Sequence, residues 1–119
     1  MASFIRQLRI AVDGLTYPSE SDEPFEVFVW PSTGGTARYA VQVQAKSTAI
    51  SEMSVDSFFD ELLDDPQADR FRASKQLLTA NLSDLSVFRV HQGSELDVYV
   101  IGKTADGDWA GLKTLSMET

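Results

Sequence analysis

A short acidic segment contains the side chains most able to do chemistry. Glu20, Asp22, Glu23 and Glu26 lie within seven residues of sequence, with no basic residue among them. Carboxylates concentrated in this way attract basic partners, although they could also serve only solubility. Two prolines and two serines share the segment, and the apolar run Phe-Glu-Val-Phe-Val-Trp follows it. We therefore expect a stiff acidic loop that leads directly into a strand.

The acidic character extends over about half of the chain. Residues 13–69 carry twelve acidic and two basic residues, a net charge of −10, whereas the whole chain has a net charge of −8. Such a field repels nucleic acids and membrane surfaces and attracts basic proteins. We therefore expect a basic protein partner, and no direct binding to nucleic acid or to a membrane.

The sequence has none of the common catalytic or metal-binding motifs. It contains no cysteine and a single histidine, His91, which excludes disulfides and thiol nucleophiles and argues against a zinc site. Asp-Gly-Asp at 106–108 resembles the start of a calcium loop, but its twelfth position would be Met117, where a bidentate Glu is required. A hairpin turn is the better interpretation. We expect that the protein is not an enzyme and has neither a cofactor nor a metal of its own.

A second group of carboxylates, at positions 60, 61, 64 and 65, lies on one flank of a predicted helix. We interpret them as a solvated helix face. A metal-dependent hydrolase that uses these carboxylates is the least favoured hypothesis, because the segment offers no histidine and no group to hold a substrate.

Length and composition bound the class of protein. With 119 residues, 43% of them hydrophobic, the chain is predicted to form one globular domain over residues 1–119. The first residues lack the pattern of a signal peptide, and no window approaches the roughly 18 apolar residues needed to span a membrane. We expect a cytoplasmic protein.

Periodicity predicts the elements of the first half. Apolar residues recur at helical spacing in residues 3–15, and again from Val55 until Pro66 closes the helix. Residues 25–30 have bulky apolar groups on both faces, which is typical of a strand covered on both sides. Residues 38–44 alternate between apolar and polar side chains and predict a strand.

The second half predicts a helix over residues 68–82 and three strands near 87–91, 96–102 and 109–117. Short turns between the strands imply an antiparallel meander. The predicted class is therefore α+β, with helices packed on a central, mostly antiparallel sheet. Trp30 is expected in the core, whereas Trp109 follows a polar turn and is expected to be partly exposed and available to a partner.

Three stretches of this sequence resemble the nuclease A inhibitor family. They are DGLTYPSESDEPFEVFVW at 13–30, LDVYVIGKTADGDWAGLKT at 96–114 and the final Met-Glu-Thr, while VDSFFDELL at 55–63 is similar more loosely. The resemblance implies a single-domain α-β-α sandwich of the PR-1-like type. It also implies a protein inhibitor of a magnesium-dependent, sugar-nonspecific endonuclease.

The resemblance further implies a site. In the family, the glutamate of Ser-Glu-Ser and the C-terminal threonine lie at the active site of the nuclease, the threonine close to the catalytic magnesium. Glu20 and Thr119 occupy those positions here. Flanking candidates for contact with the partner are Ser19, Ser21, Asp22, Glu23, Glu118 and Trp109.

One departure from the family pattern keeps a second hypothesis open. The family carries a longer acidic insert with an aromatic residue between its middle helix and the next helix, but residues 64–69 are short here and lack Trp and Tyr. The alternative is an acidic regulatory binding module that docks another basic protein without inhibiting a nuclease.

Overall fold

A five-stranded antiparallel sheet organises the chain. The computed structural model describes residues 2–18, 22–31 and 35–117. The elements in these ranges are α1 (Ala2–Val12), β1 (Glu26–Trp30), α2 (Ala37–Ala45), β2 (Ile50–Met53), α3 (Val55–Asp60), α4 (Ala68–Asn81), β3 (Ser83–Gln92), β4 (Glu95–Lys103) and β5 (Trp109–Met117). The strand order is β1-β5-β4-β3-β2, and every neighbouring pair is antiparallel. The predicted α+β class and the meander of the last three strands are confirmed.

Both faces of the sheet are covered by helices. Successive side chains of a strand point to opposite faces. In β4, Val98 and Val100 belong to a core shared with α1, α3 and α4, whereas Tyr99 and Ile101 belong to a second core shared with α2. Helices therefore form an outer layer on each side of the sheet.

The helices predicted from apolar periodicity are present, with shorter ends. α1 ends at Val12 rather than at residue 15, because Gly14 takes a left-handed φ of +74° that a helix cannot continue. Leu15 is nevertheless buried in the core. α4 follows its prediction to within one residue, and both Phe71 and Leu78 are buried as expected.

α3 begins where the sequence predicts and ends sooner. The Ser54 hydroxyl accepts a hydrogen bond from the Ser57 N–H at 3.0 Å and caps the helix. The regular helix ends at Asp60, after which the Leu62 N–H donates to the Phe59 carbonyl at 2.9 Å in a tighter turn. Leu62 is still buried. The apolar spacing therefore correctly predicted that Leu62 is buried in the core, although the regular helix ends before it.

The strand predicted over residues 38–44 is wrong, because this segment is the helix α2. Thr36 caps it, since its hydroxyl accepts from the Tyr39 N–H at 3.2 Å. Val41 is fully buried, whereas Tyr39 and Val43, which would share its face in a strand, are each 54% exposed. Three alanines of α2 complete the buried side at helical spacing. The buried face of α2 thus consists mainly of small residues, which the alternation of apolar and polar residues in 38–44 does not indicate.

Two further differences concern the sheet edges. β1 lies at an edge of the sheet. Val27 packs against the first core and Phe28 against the second, so the strand is covered on both sides as predicted, although Val29 is 43% exposed and the cover is incomplete. Trp30 packs against the second core but is only half-buried. β2 forms the other edge and was not predicted, because the four residues of Ile50–Met53 become a strand only by pairing with β3.

Candidate functional site

The acidic loop has a first arm, residues 16–17, and a second arm, residues 23–24, and the two arms are joined at the base of the loop. Thr16 and Pro24 form an isolated antiparallel bridge, and the Tyr17 N–H donates to the Glu23 carbonyl at 2.9 Å. The tip between the arms consists of residues 18–22. This pairing fixes the two arms relative to each other.

Aromatic packing fixes the first arm to the core. The Tyr17 ring stacks on Phe58 of α3, with 5.7 Å between ring centroids and 10° between planes. It also meets Phe25 edge-on at 6.2 Å. Such pairs contribute about 0.5–1.5 kcal/mol each beyond their buried area. The arm is therefore held by side chains as well as by backbone hydrogen bonds.

The second arm is fixed to the last strand. The hydroxyl of Thr114 lies 3.0 Å from the Pro24 carbonyl and 3.4 Å from the Glu23 carbonyl, so it donates chiefly to Pro24. Thr114 is 2% exposed. Because Glu26 pairs with Lys113, β5 runs past the start of β1 and along the second arm toward Met117. The loop and the C-terminal end of β5 therefore lie side by side.

Two of the predicted site residues, Asp22 and Glu23, lie in the described part of the acidic loop. Asp22 is exposed in the left-handed region at φ +47°, where Asp is better tolerated than most residues. Glu23 is partly buried and lines a small cleft with Glu26 and Lys113. These residues belong to the loop, as predicted. The remaining loop and terminal candidates, Ser19, Glu20, Ser21, Glu118 and Thr119, lie outside the described residues.

The prediction that Trp109 is partly exposed is wrong. Trp109 is 5% exposed and belongs to the core beneath α2, where the Lys103 ammonium lies 5.6 Å from the centre of its ring. It starts β5, and Thr114 lies five residues further, about 17 Å along an extended strand. Trp109 is thus a core residue remote from the base of the loop.

Asp97 is a residue of this region that the sequence analysis missed. It is 5% exposed, and its Oδ2 accepts from Gln92 Nε2 at 3.0 Å. Burial, followed by hydrogen bonding and repulsion from the Glu95 carboxyl, raises the pKa of Asp97 to about 6, while Lys113 acts in the opposite direction. The available signal was an acid in the middle of the apolar strand LDVYVIG.

The other carboxylate motifs do not assemble a metal site. Within residues 2–18, 22–31 and 35–117, no three His, Cys, Asp or Glu side chains are grouped so that they could hold an ion. The segment 106–108 is a hairpin turn, as predicted, in which the Thr104 N–H donates to the Asp108 carbonyl at 2.8 Å. His91 is exposed at the end of β3, with Nε2 3.3 Å from the Ser51 hydroxyl.

The same described ranges contain no helix with the length and apolarity to cross a bilayer.

Comparison with known families agrees with the sequence resemblance. The family model described as nuclease A inhibitor-like protein matches residues 2–119. No curated protein matches the chain. The family description implies nuclease inhibition in general and a nuclease as the protein partner. Because the match extends over nearly every residue, the chain belongs to the nuclease A inhibitor-like protein family.

Proposed function

We propose that this protein inhibits a magnesium-dependent, sugar-nonspecific endonuclease by inserting its acidic loop and C-terminal residues into the active-site cleft. In this proposal residues 1–119 act as one cytoplasmic domain of the PR-1-like type. The observation that carries the proposal is the attachment of the loop base to β5 through Thr114. It joins the two elements that the family resemblance assigns to the nuclease active site.

The chemistry of such a nuclease explains why carboxylates suit its cleft. An enzyme that cuts any sequence holds phosphates by charge rather than by reading bases, so its cleft is basic. Its magnesium keeps several waters for substrate oxygens. A carboxylate at the tip of a loop, such as Glu20, can occupy the place of a phosphate. The negative field of residues 13–69 would steer the protein to this cleft.

The anchored base of the loop supports tight binding. Ordering one free residue costs about 1–2 kcal/mol, and this cost is subtracted from the binding energy. The bridge between Thr16 and Pro24 and the bond from Tyr17 to Glu23 already order both arms in the free protein. Binding therefore does not have to order the two arms.

The terminal residues extend the site along β5. Met117 pairs with Glu95, so the strand is held up to this residue. Two further residues reach at most about 7 Å beyond it. In our proposal the hard oxygen groups of Thr119 approach the magnesium or its waters, with Glu118 beside them. The flanking acids Asp22 and Glu23 contribute charge at the rim.

A specific observation favours the second hypothesis, an acidic module that docks another basic protein. α3 and α4 are joined by a short turn in which the Ala68 N–H donates to the Asp65 carbonyl at 3.0 Å and Asp65 Oδ1 accepts from the Gln67 N–H at 2.8 Å. The connection is therefore short and lacks the longer acidic insert of the family. Tight binding to a basic protein, without loss of nuclease activity, would favour this second function.

A matched pair of variants tests the proposal. We expect Glu20→Gln to lose about 2–5 kcal/mol of binding to the nuclease, because an acid buried against cationic groups is removed. Asp106→Asn removes the same charge from an exposed turn at the far end of β5 and should bind like the wild type. Inhibition constants come from DNA cleavage, and folding is checked by thermal unfolding. Equal inhibition by all three proteins would exclude Glu20 from the site.

A further inference from the structure

Two carboxyl groups lie next to each other beside the end of β5. Asp97 and Glu95 are two residues apart in β4 and therefore point to the same face of the sheet. Their partners across the ladder are Leu115 and Met117, the last residues of β5 on that face. The pair thus lies beside the last described residues of β5.

The hydrogen bonds of Asp97 are incomplete when both acids are charged. Oδ2 accepts from Gln92 Nε2, but Oδ1 is buried and has no donor within the part of the chain that the structure describes. An ionised carboxylate can only accept hydrogen bonds. Glu95 beside it is an acceptor as well, so the two can bond to each other only if one of them carries a proton.

The other charged groups around Asp97 do not remove this conflict. Lys113 on β5 stabilises the charged form of Asp97, and its ammonium also lies 5.6 Å from the ring centre of Tyr99. Gln92 on β3 is neutral. Burial and Glu95 outweigh Lys113, and the pKa of Asp97 is accordingly raised to about 6.

We propose that Asp97 and Glu95 share one proton, and that this proton holds the end of β5 in place. With the proton, the two carboxyl groups form a hydrogen bond next to the pair of Glu95 with Met117. Without it, two adjacent negative charges repel, and the last rungs of the β4–β5 ladder loosen. Asp97 is then a positioning residue for the end of β5, residues 115–117. The effect of this shared proton on nuclease inhibition rests on the proposed function.

Hydrogen exchange in the free protein tests the proton site directly. We expect the amides of residues 115–117 to lose roughly tenfold in protection between pH 5 and pH 7.5, after correction for intrinsic exchange. Asp97→Asn keeps a hydrogen bond to Glu95 but cannot ionise, so its protection should not change over this range. Glu95→Gln should behave in the same way, and it provides the test if Asp97→Asn does not fold. Asp106→Asn should respond to pH as the wild type does.

A binding measurement separates this inference from the proposed function. Dissociation constants for the nuclease at pH 5.5 and pH 7.5 should change severalfold less in Asp97→Asn than in the wild type. A pH response of the amides without any nuclease binding would leave the proton site standing and reject the inhibitor proposal. Inhibition with equal amide protection in wild type and variants at both pH values would overturn the shared proton alone.

Discussion

Replacement of Thr114 by valine tests whether the anchored loop matters for binding. Valine keeps the branched shape and suits a strand, so the main change is the loss of one hydroxyl. That hydroxyl lies 3.0 Å from the Pro24 carbonyl on a residue that is 2% exposed. The substitution therefore releases the second arm of the loop from β5 and leaves the sheet itself intact.

The expected effects on stability and on binding have separate causes. A neutral hydrogen bond contributes about 1 kcal/mol net, and Pro24 is exposed enough for water to replace the lost donor. We therefore expect the free energy of unfolding to fall by about 1 kcal/mol. The bridge of Thr16 to Pro24 and the bond from Tyr17 to Glu23 remain in the variant. Binding therefore has to order at most about one further residue at about 1 kcal/mol, and affinity falls roughly fivefold.

The assay is a cleavage titration with a second threonine as control. Thr104 is similarly buried, and its Oγ1 accepts from the Asp108 N–H at 3.1 Å in the turn before β5. Thr104→Val should lower stability by a similar amount and leave the inhibition constant unchanged. Wild-type inhibition by Thr114→Val, or an equal loss in Thr104→Val, would refute the argument that the anchored arm preorganises the loop.

Three further predictions follow from charge and from the chain end. The association rate with the nuclease should fall on the order of tenfold from low to physiological salt, because residues 13–69 carry a net charge of −10; a flat salt dependence in stopped-flow measurements would count against steering. A short extension after Thr119 should weaken inhibition about tenfold with an unchanged thermal midpoint, whereas an N-terminal tag of equal length should be harmless; equal potency of the two tagged forms would reject the role of the terminus. Because the pKa of Asp97 rises from 3.8 to about 6 on folding, the folded state holds a proton that the unfolded state releases. Stability should therefore fall by up to about 3 kcal/mol as the pH rises from 4 through 6 and then level off, and Asp97→Asn should lack this slope in unfolding titrations.

Local signals accounted for the elements that were predicted correctly. The cap at Ser54 and the apolar spacing after Val55 depend on neighbours within one or two turns, so the start of α3 could be placed from the sequence. The strand prediction for residues 38–44 was wrong because Tyr39, Val41 and Val43 alternate as in a strand, although only Val41 of the three is buried. Here the deciding feature was a packing face of alanines, which hydrophobic alternation does not detect.

Contacts distant in sequence accounted for what was missed. The Thr114 hydroxyl bonds a carbonyl 90 residues earlier, and β2 exists only through its pairing with β3. Asp97 is visible as an acid in an apolar strand, and Glu95 lies two residues before it on the same face, but the proximity of Lys113 depends on the ladder register. The resemblance placed the acidic loop in a family, while the structure supplied the anchor that holds its base.

Competition with DNA is the most direct test of the central claim that the protein occupies the nuclease active site. The measurement is the initial rate of DNA cleavage by a magnesium-dependent, sugar-nonspecific endonuclease, at several DNA concentrations and increasing amounts of this protein. We predict complete inhibition at saturation, with an apparent inhibition constant that rises in proportion to DNA concentration. Binding of the protein with cleavage undiminished, or with inhibition independent of DNA concentration, would contradict it.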